Sequence, residues 1–164
     1  MKPLLSMTFA LLAGLAARDT PDVSRDCPLQ GTWELVAADK RLPGGERVPD
    51  YGSSPKGRLL IDAHGRYALQ ILKSERAPFA SGDKATGTPD EYVSAVLGAS
   101  THYGVLEVDA KRGVLTFRIE GASFPNWEGT VQKRDYTLQG DVLTYQVPAR
   151  PDGSIPLSVW LKLD

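Results

Sequence analysis

The chain holds a single cysteine, Cys27, so no internal disulfide can form and the fold must be stabilised by its core. The residues before it, Ser24–Arg25–Asp26, are not the small and apolar set of a lipidation site; Cys27 reads as an unpaired thiol near a terminus or as half of an intermolecular bridge. Histidine is nearly as scarce. His64 and His102 stand far apart, and no His, Cys and acidic spacing makes a metal-ligand set, so neither a metal nor a cofactor is expected. There is no Gly-x-Ser-x-Gly elbow, phosphate-cradling glycine loop or dinucleotide fingerprint. Asn126, the only asparagine, is followed by Trp127 and Glu128, which rules out a glycosylation acceptor. Neither sign of charge is in excess, with 19 basic against 20 acidic residues, so the basic footprint of a nucleic-acid partner is missing. No segment approaches the ~20 apolar residues of a spanning helix.

What the N-terminus does have is Lys2, an apolar run from Leu4 to Leu15, and small residues at Gly14, Ala16 and Ala17. This is the pattern of a cleaved secretory signal over Met1–Ala17, and it predicts a secreted or periplasmic protein without an integral membrane segment after cleavage. The alternative is an N-terminal core helix. Removing Met1–Ala17 takes away only Lys2, leaving 18 basic against 20 acidic residues and a net charge of −2. Arg18–Pro28 is polar and punctuated by proline, an extended, flexible leader. The remaining Leu29–Asp164 has the length of one domain, and 41% hydrophobic with 24% charged residues is ordinary for a globular fold.

That domain opens on Gly31–Thr32–Trp33–Glu34–Leu35–Val36–Ala37. Period-two alternation puts Trp33, Leu35 and Ala37 on the buried face of a strand, with Gly31 leaving room against the indole. Two loops rich in Gly, Pro and Ser, Asp39–Gly57 and Ser74–Gly87, are long enough to cover an opening. Apolar runs on either side of Asp62–Gly65 form a hairpin, with His64 in its solvated turn and Tyr67, Leu69 and Ile71 sharing one face. One helix is expected. Thr88, Pro89 and Glu91 supply a capping box with a proline in the first turn, and Tyr92, Val93, Val96 and Leu97 form a stripe that reads as a lid or plug on a β core. From Thr101 onward every element reads as a strand joined by a tight turn. An antiparallel meander of this kind loses its exposed edges by closing as an up-and-down β-barrel, bringing Trp160 of the last strand beside Trp33. The fold class is therefore all-β, an antiparallel up-and-down barrel with one short helix.

Several motifs now stand in order: Gly31–Thr32–Trp33, Pro55–Lys56–Gly57, Asp62 to Arg66, the Arg76–Pro78 loop, the Thr88–Glu91 helix start, Tyr103–Gly104, and Phe124–Thr130 leading to Arg134. The Gly-x-Trp opening is shared by lipocalins and fatty-acid-binding proteins. The ordered set resembles the bacterial and fungal lipocalin-like domain family over nearly all of the mature chain. The resemblance implies a lipocalin-like barrel. It also implies an enzymatic alternative, since some fungal relatives resemble isomerases or cyclases. The chain departs from the family where others often carry tyrosines and a histidine beside the Tyr-Gly strand; here the residues are His102, Leu106 and Phe117.

On the strand Thr130–Leu138, Lys133 and Asp135 mark the solvent face, which turns Gln132, Arg134 and Tyr136 inward. A buried guanidinium needs a carboxylate, a carbonyl, an aromatic face or a bound anion. Arg134 is read either as lying across the Trp33 indole, as in lipocalins, or as meeting a ligand carboxylate. His102 faces inward as a hydrogen-bonded core residue or as a base. Phe124 and Trp127 either flank a ligand entrance or plug the barrel end. The candidate ligand-binding residues are Tyr67, His102, Phe117, Trp127, Gln132, Arg134, Tyr136 and Tyr145.

The expected function is an exported monomer holding a small, mostly apolar molecule inside the barrel. One alternative is an isomerase or cyclase using His102, with Tyr103, Tyr136 or Tyr145, as acid–base groups; His102 and Tyr136 are the catalytic candidates. Another is a filled barrel serving as an interaction module. If the signal is cleaved, N-terminal sequencing of protein recovered from periplasm or culture fluid begins near Ala17 or Arg18. A recovered chain that still starts at Met1 overturns the export reading.

Overall fold

The computed structural model describes residues 27–163; the stretch read as a signal, Met1–Ala17, and the part of the expected leader before Cys27 lie outside them. In chain order these residues form β1 (Gly31–Arg41), β2 (Arg47–Pro49), β3 (Lys56–Ile61), β4 (Arg66–Leu72), α1 (Pro89–Leu97), β5 (Ala99–Asp109), β6 (Val114–Ala122), β7 (Val131–Gln139), β8 (Val142–Gln146) and β9 (Ile155–Lys162). A short 3₁₀ turn, Pro125–Trp127, connects β6 to β7. Each of β3 to β9 pairs antiparallel with the next, β1 pairs with β3, and β9 returns to β1. Eight strands, β1 and β3 to β9, thus close into an up-and-down barrel with no free edge. β2 is a stub, paired only with the far end of β1.

Two departures from simple alternation shape β1. Its register against β9 slips between Leu35 and Ala37, so Val36 is left exposed and the inward position moves to Ala38 in place of the expected Ala37. A bulge of this kind inserts one unpaired residue and switches the phase of all that follow. Gly31 adopts φ +138°, a conformation that side-chain-bearing residues rarely take, so backbone geometry alone calls for glycine here.

Trp33 is sealed at the closed end of the barrel. Its Nε1 donates to the Leu29 carbonyl at 3.0 Å, and the last strand passes over it with Lys162 Nζ 5.7 Å from the ring centroid. Trp160 stands opposite Leu35 in register, two pairs along from Trp33. Cys27 belongs to this end too: its N–H donates to the Ala63 carbonyl, and burial pushes its half-buried thiol pKa up.

The segment expected as the loop Asp39–Gly57 begins as strand, because β1 runs on to Arg41 and folds back through β2. The N–H groups of Asp50 and Tyr51 then both donate to the Ala38 carbonyl, which folds Tyr51 against the barrel. The helix has the expected capping box, with Thr88 and Glu91 bonding to each other's backbone. It does not plug the barrel. Its stripe residues Val93, Val96 and Leu97 are 56%, 59% and 65% exposed, while Tyr92 stacks edge-on against Phe79 of the preceding loop at 5.3 Å. A single turn-and-a-half of stripe finds its partner in its own loop, and the barrel is closed without it. No helix among the described residues is long and apolar enough to cross a membrane.

Removing the Trp33 indole takes the largest side chain out of the closed end. Trp33→Ala is expected to cost ~3–5 kcal/mol in denaturant unfolding, as large-to-small core changes do. A loss under about 1 kcal/mol contradicts its place in the core.

Candidate functional site

The two ends of the barrel are built differently. Toward the start of β1 the interior is filled by Trp33, Leu59, Leu115 and Phe117, all 0–1% exposed. Toward the end of β1 it is hollow. A cavity of about 420 Å³ opens there, within the range of small-molecule sites. Its walls come from the end of β4 (Leu69, Ile71), the start of β5 (Ser100, His102), the 3₁₀ turn (Trp127), β7 (Gln132, Arg134), Tyr145 of β8 and the start of β9 (Leu157, Ser158).

Arg134 lies at the boundary between the filled and hollow halves. Strand alternation turns it inward as the sequence predicts, and it is only 5% exposed. Its guanidinium lies 4.1 Å over the Phe117 ring and 5.0 Å from the Tyr145 ring, so the aromatic pair that takes its charge is not Trp33. The cation near Trp33 is Lys162. Arg134 Nη2 donates to Gln132 Oε1 at 2.9 Å and contacts His102 Nε2 at 3.2 Å. Nε has no hydrogen-bond partner among the described residues, and neither has the buried Tyr145 hydroxyl. Cation–π contacts offset part of the several kcal/mol that burying an ion costs, yet no acid among the described residues completes the pairing.

These contacts settle the state of His102. Arginine has only donors, so His102 Nε2 must accept. The ring proton therefore sits on Nδ1 and is donated to the Tyr67 hydroxyl at 2.8 Å. Burial, with the Arg134 charge beside it, brings the His102 pKa down to about 3. Burial likewise pushes the Tyr67 hydroxyl well above its ordinary value. Tyr67, Phe117 and Trp127 meet the imidazole edge-to-face at centroid distances of 5.4, 5.7 and 6.1 Å, fixing its plane.

The mouth carries a second arrangement. Asp50 is gripped by both terminal nitrogens of Arg150 at 3.2 and 2.6 Å and approached by Lys40 at 3.4 Å. Burial pushes the Asp50 carboxyl up, but the bond and charge of Arg150, then Lys40, outweigh it and hold the pKa below the usual range. Burial, then the Asp50 charge, raises the neighbouring Tyr51 hydroxyl.

Of the eight residues singled out in the sequence as ligand contacts, His102, Trp127, Gln132, Arg134 and Tyr145 line the cavity together. Tyr67 and Phe117 lie beneath it, in contact with His102 and Arg134. Tyr136 points inward but sits further along β7, packed on the closed end of the core. Tyr103, a partner of His102 in the enzymatic alternative, faces outward at 56% exposure. Trp127 is half-buried against His102 and Phe124 is exposed beside it, so one of the pair forms cavity wall and the other its outer support. No residue of Ser74–Gly87 reaches the cavity. Asp50, Tyr51, Ser100, Arg150 and Ser158 line it without having been anticipated.

A closed eight-stranded antiparallel barrel, filled at one end and hollow at the other, defines a calycin-type architecture. A family model described as lipocalin-like domain matches residues 30–161, and the chain belongs to that family. Neither a search of curated proteins nor a search of solved structures returned a match.

Because the His102 pKa is depressed in the folded state and ordinary, near 6.5, in the unfolded one, its contribution to stability is complete above about pH 6.5 and is lost as pH falls toward 3. The slope from this one group is up to about 1.4 kcal/mol per pH unit. Denaturant unfolding of His102→Gln is expected to show a shallower decline over that window than the native chain. Equal slopes contradict a buried neutral imidazole.

Proposed function

We propose that the protein is an exported binding protein that holds a small, mostly apolar molecule in the hollow half of its barrel. The observation that carries the reading is the cavity itself, about 420 Å³, walled by Leu69, Ile71, Trp127, Val147 and Leu157 with a few fixed polar groups at its floor. A barrel filled along its whole length, as the interaction-module alternative requires, has no such space. The isomerase or cyclase alternative needs His102 to carry a proton. Its Nε2 lone pair is occupied by Arg134, its Nδ1 proton is held by Tyr67, and its pKa of about 3 makes it a poor base near neutrality. Export is supported by the Lys2, Leu4–Leu15 and Ala16–Ala17 pattern alone.

The test is native mass spectrometry of protein purified from its own host, paired with titration of a neutral phenyl-naphthylamine dye. A co-purifying small molecule, or dye uptake that Ile71→Trp abolishes by filling the cavity, is the expected result. A protein that carries nothing and takes up no dye, or a dye affinity indifferent to Ile71→Trp, overturns the reading.

A further inference from the structure

We propose that the bound molecule carries a carboxylate, and that Arg134 and Tyr145 receive it at the cavity floor. This inference rests on the binding reading above and adds the chemical class of the ligand. Arg47, Arg58, Arg66, Arg112, Arg118 and Arg150 each sit within ion-pair distance of an acidic side chain. All six are more exposed than Arg134; Arg41 and Arg76 also lack an acidic partner but are exposed to solvent, so among the described residues Arg134 is the buried arginine that no acid pairs. Buried charges in proteins are ordinarily paired, so an unpaired one lining a cavity identifies what the cavity is built to meet.

The hydrogen-bond geometry agrees. Arg134 commits Nη2 to Gln132 and His102, while Nε and Nη1 make no hydrogen bond among the described residues. The Tyr145 hydroxyl, on the ring that flanks the guanidinium, is also unpartnered and buried. Two kinds of donor without acceptors converge from β7 and β8, and a carboxylate supplies two acceptor oxygens. Every protein group bonded to Arg134 is neutral, so its charge is left intact. His102 is a positioning residue in this arrangement: as a neutral acceptor it aims the guanidinium without neutralising it.

The balance of charge around the cavity points the same way. Asp39 and Asp50 line it with Arg134 and Arg150, and both acids are already engaged, Asp39 by Arg47 and Asp50 by Arg150 and Lys40. Arg134 is therefore the charge at the cavity that is left without a counter-charge.

Calorimetry with decanoate and decanol, on the native chain, Arg134→Met and Tyr145→Phe, tests the proposal. Decanoate is expected to bind the native chain at least about tenfold more tightly than decanol, the scale of one charge-assisted hydrogen bond. Arg134→Met keeps the length and removes the charge; it is expected to abolish the preference while decanol still binds. Tyr145→Phe keeps the ring, guards against a folding defect in the first variant, and is expected to weaken decanoate severalfold with decanol unchanged. Equal affinity for the two probes in the native chain overturns the carboxylate subsite while leaving the binding reading intact. A decanoate preference that survives both substitutions places the anion elsewhere and overturns it too. Failure of both probes and of the neutral dye overturns the binding reading, and this inference with it.

Discussion

Arg134 carries a full positive charge into the middle of the barrel, where water is stripped from it, and the groups that tolerate it there divide the interior in two. Below it Phe117 offers the guanidinium a ring face at 4.1 Å, and beneath that layer the side chains of Trp33, Leu59 and Leu115 leave no space. Above it Gln132 and His102 supply acceptors, and the barrel is hollow. A leucine at position 134 would let the core continue upward with ordinary hydrophobic packing. A charge cannot be packed that way, because an ion surrounded by hydrocarbon costs more than the packing returns. The polar floor and the cavity above it thus meet at Arg134.

His102 shows how such a charge is held without being cancelled. An aspartate at that position would pair with the guanidinium and make a conventional buried ion pair. A neutral imidazole accepts one hydrogen bond at 3.2 Å and donates its other proton to Tyr67 at 2.8 Å, so the chain Tyr67–His102–Arg134 is fully directional and carries one net charge. The edge-to-face rings around the imidazole restrict its plane, and the tautomer follows from the donor-only character of arginine. The same locking that makes His102 a good support removes it as a proton carrier.

The parts of this arrangement that follow from local pattern were legible in the sequence. Period-two alternation about Lys133 and Asp135 turned Gln132 and Arg134 inward, and the hairpin signal around Asp62–Gly65 recurs as the β3–β4 turn. The Thr88–Glu91 capping box formed because capping is decided within one turn of helix. What was not legible depends on closure. Val36 bulges because β1 must pair with β9, far away in the chain, and this single slip exchanges Ala37 for Ala38 on the inner face. Tyr51 joins the cavity because two N–H groups fold back onto Ala38, where composition showed only a polar loop. The apolar stripe of α1 predicted burial, but a stripe states only that a helix has two faces. Phe79 and the loop before the helix supply its one aromatic contact, and the barrel needs no plug.

Two arginines, at the rim and at the floor, reverse the usual relation between burial and pairing. Arg150, with 39% of its side chain exposed, has water available and nevertheless holds Asp50 through two nitrogens, joining the β8–β9 connection to the segment after β2. An exposed pair of this kind contributes little to stability on its own. Its effect here is positional: it fixes two loops at the mouth and occupies the acid nearest the opening. Arg134, where an unpaired charge is most costly, has no acidic partner among the described residues, while Asp50 is held by Arg150 and Lys40. Evenly distributed stabilisation would have placed the carboxylate at the floor and left the rim to solvent. The opposite distribution leaves the deep charge without an acid and holds the loops of the mouth together, which is the arrangement the proposed carboxylate site requires.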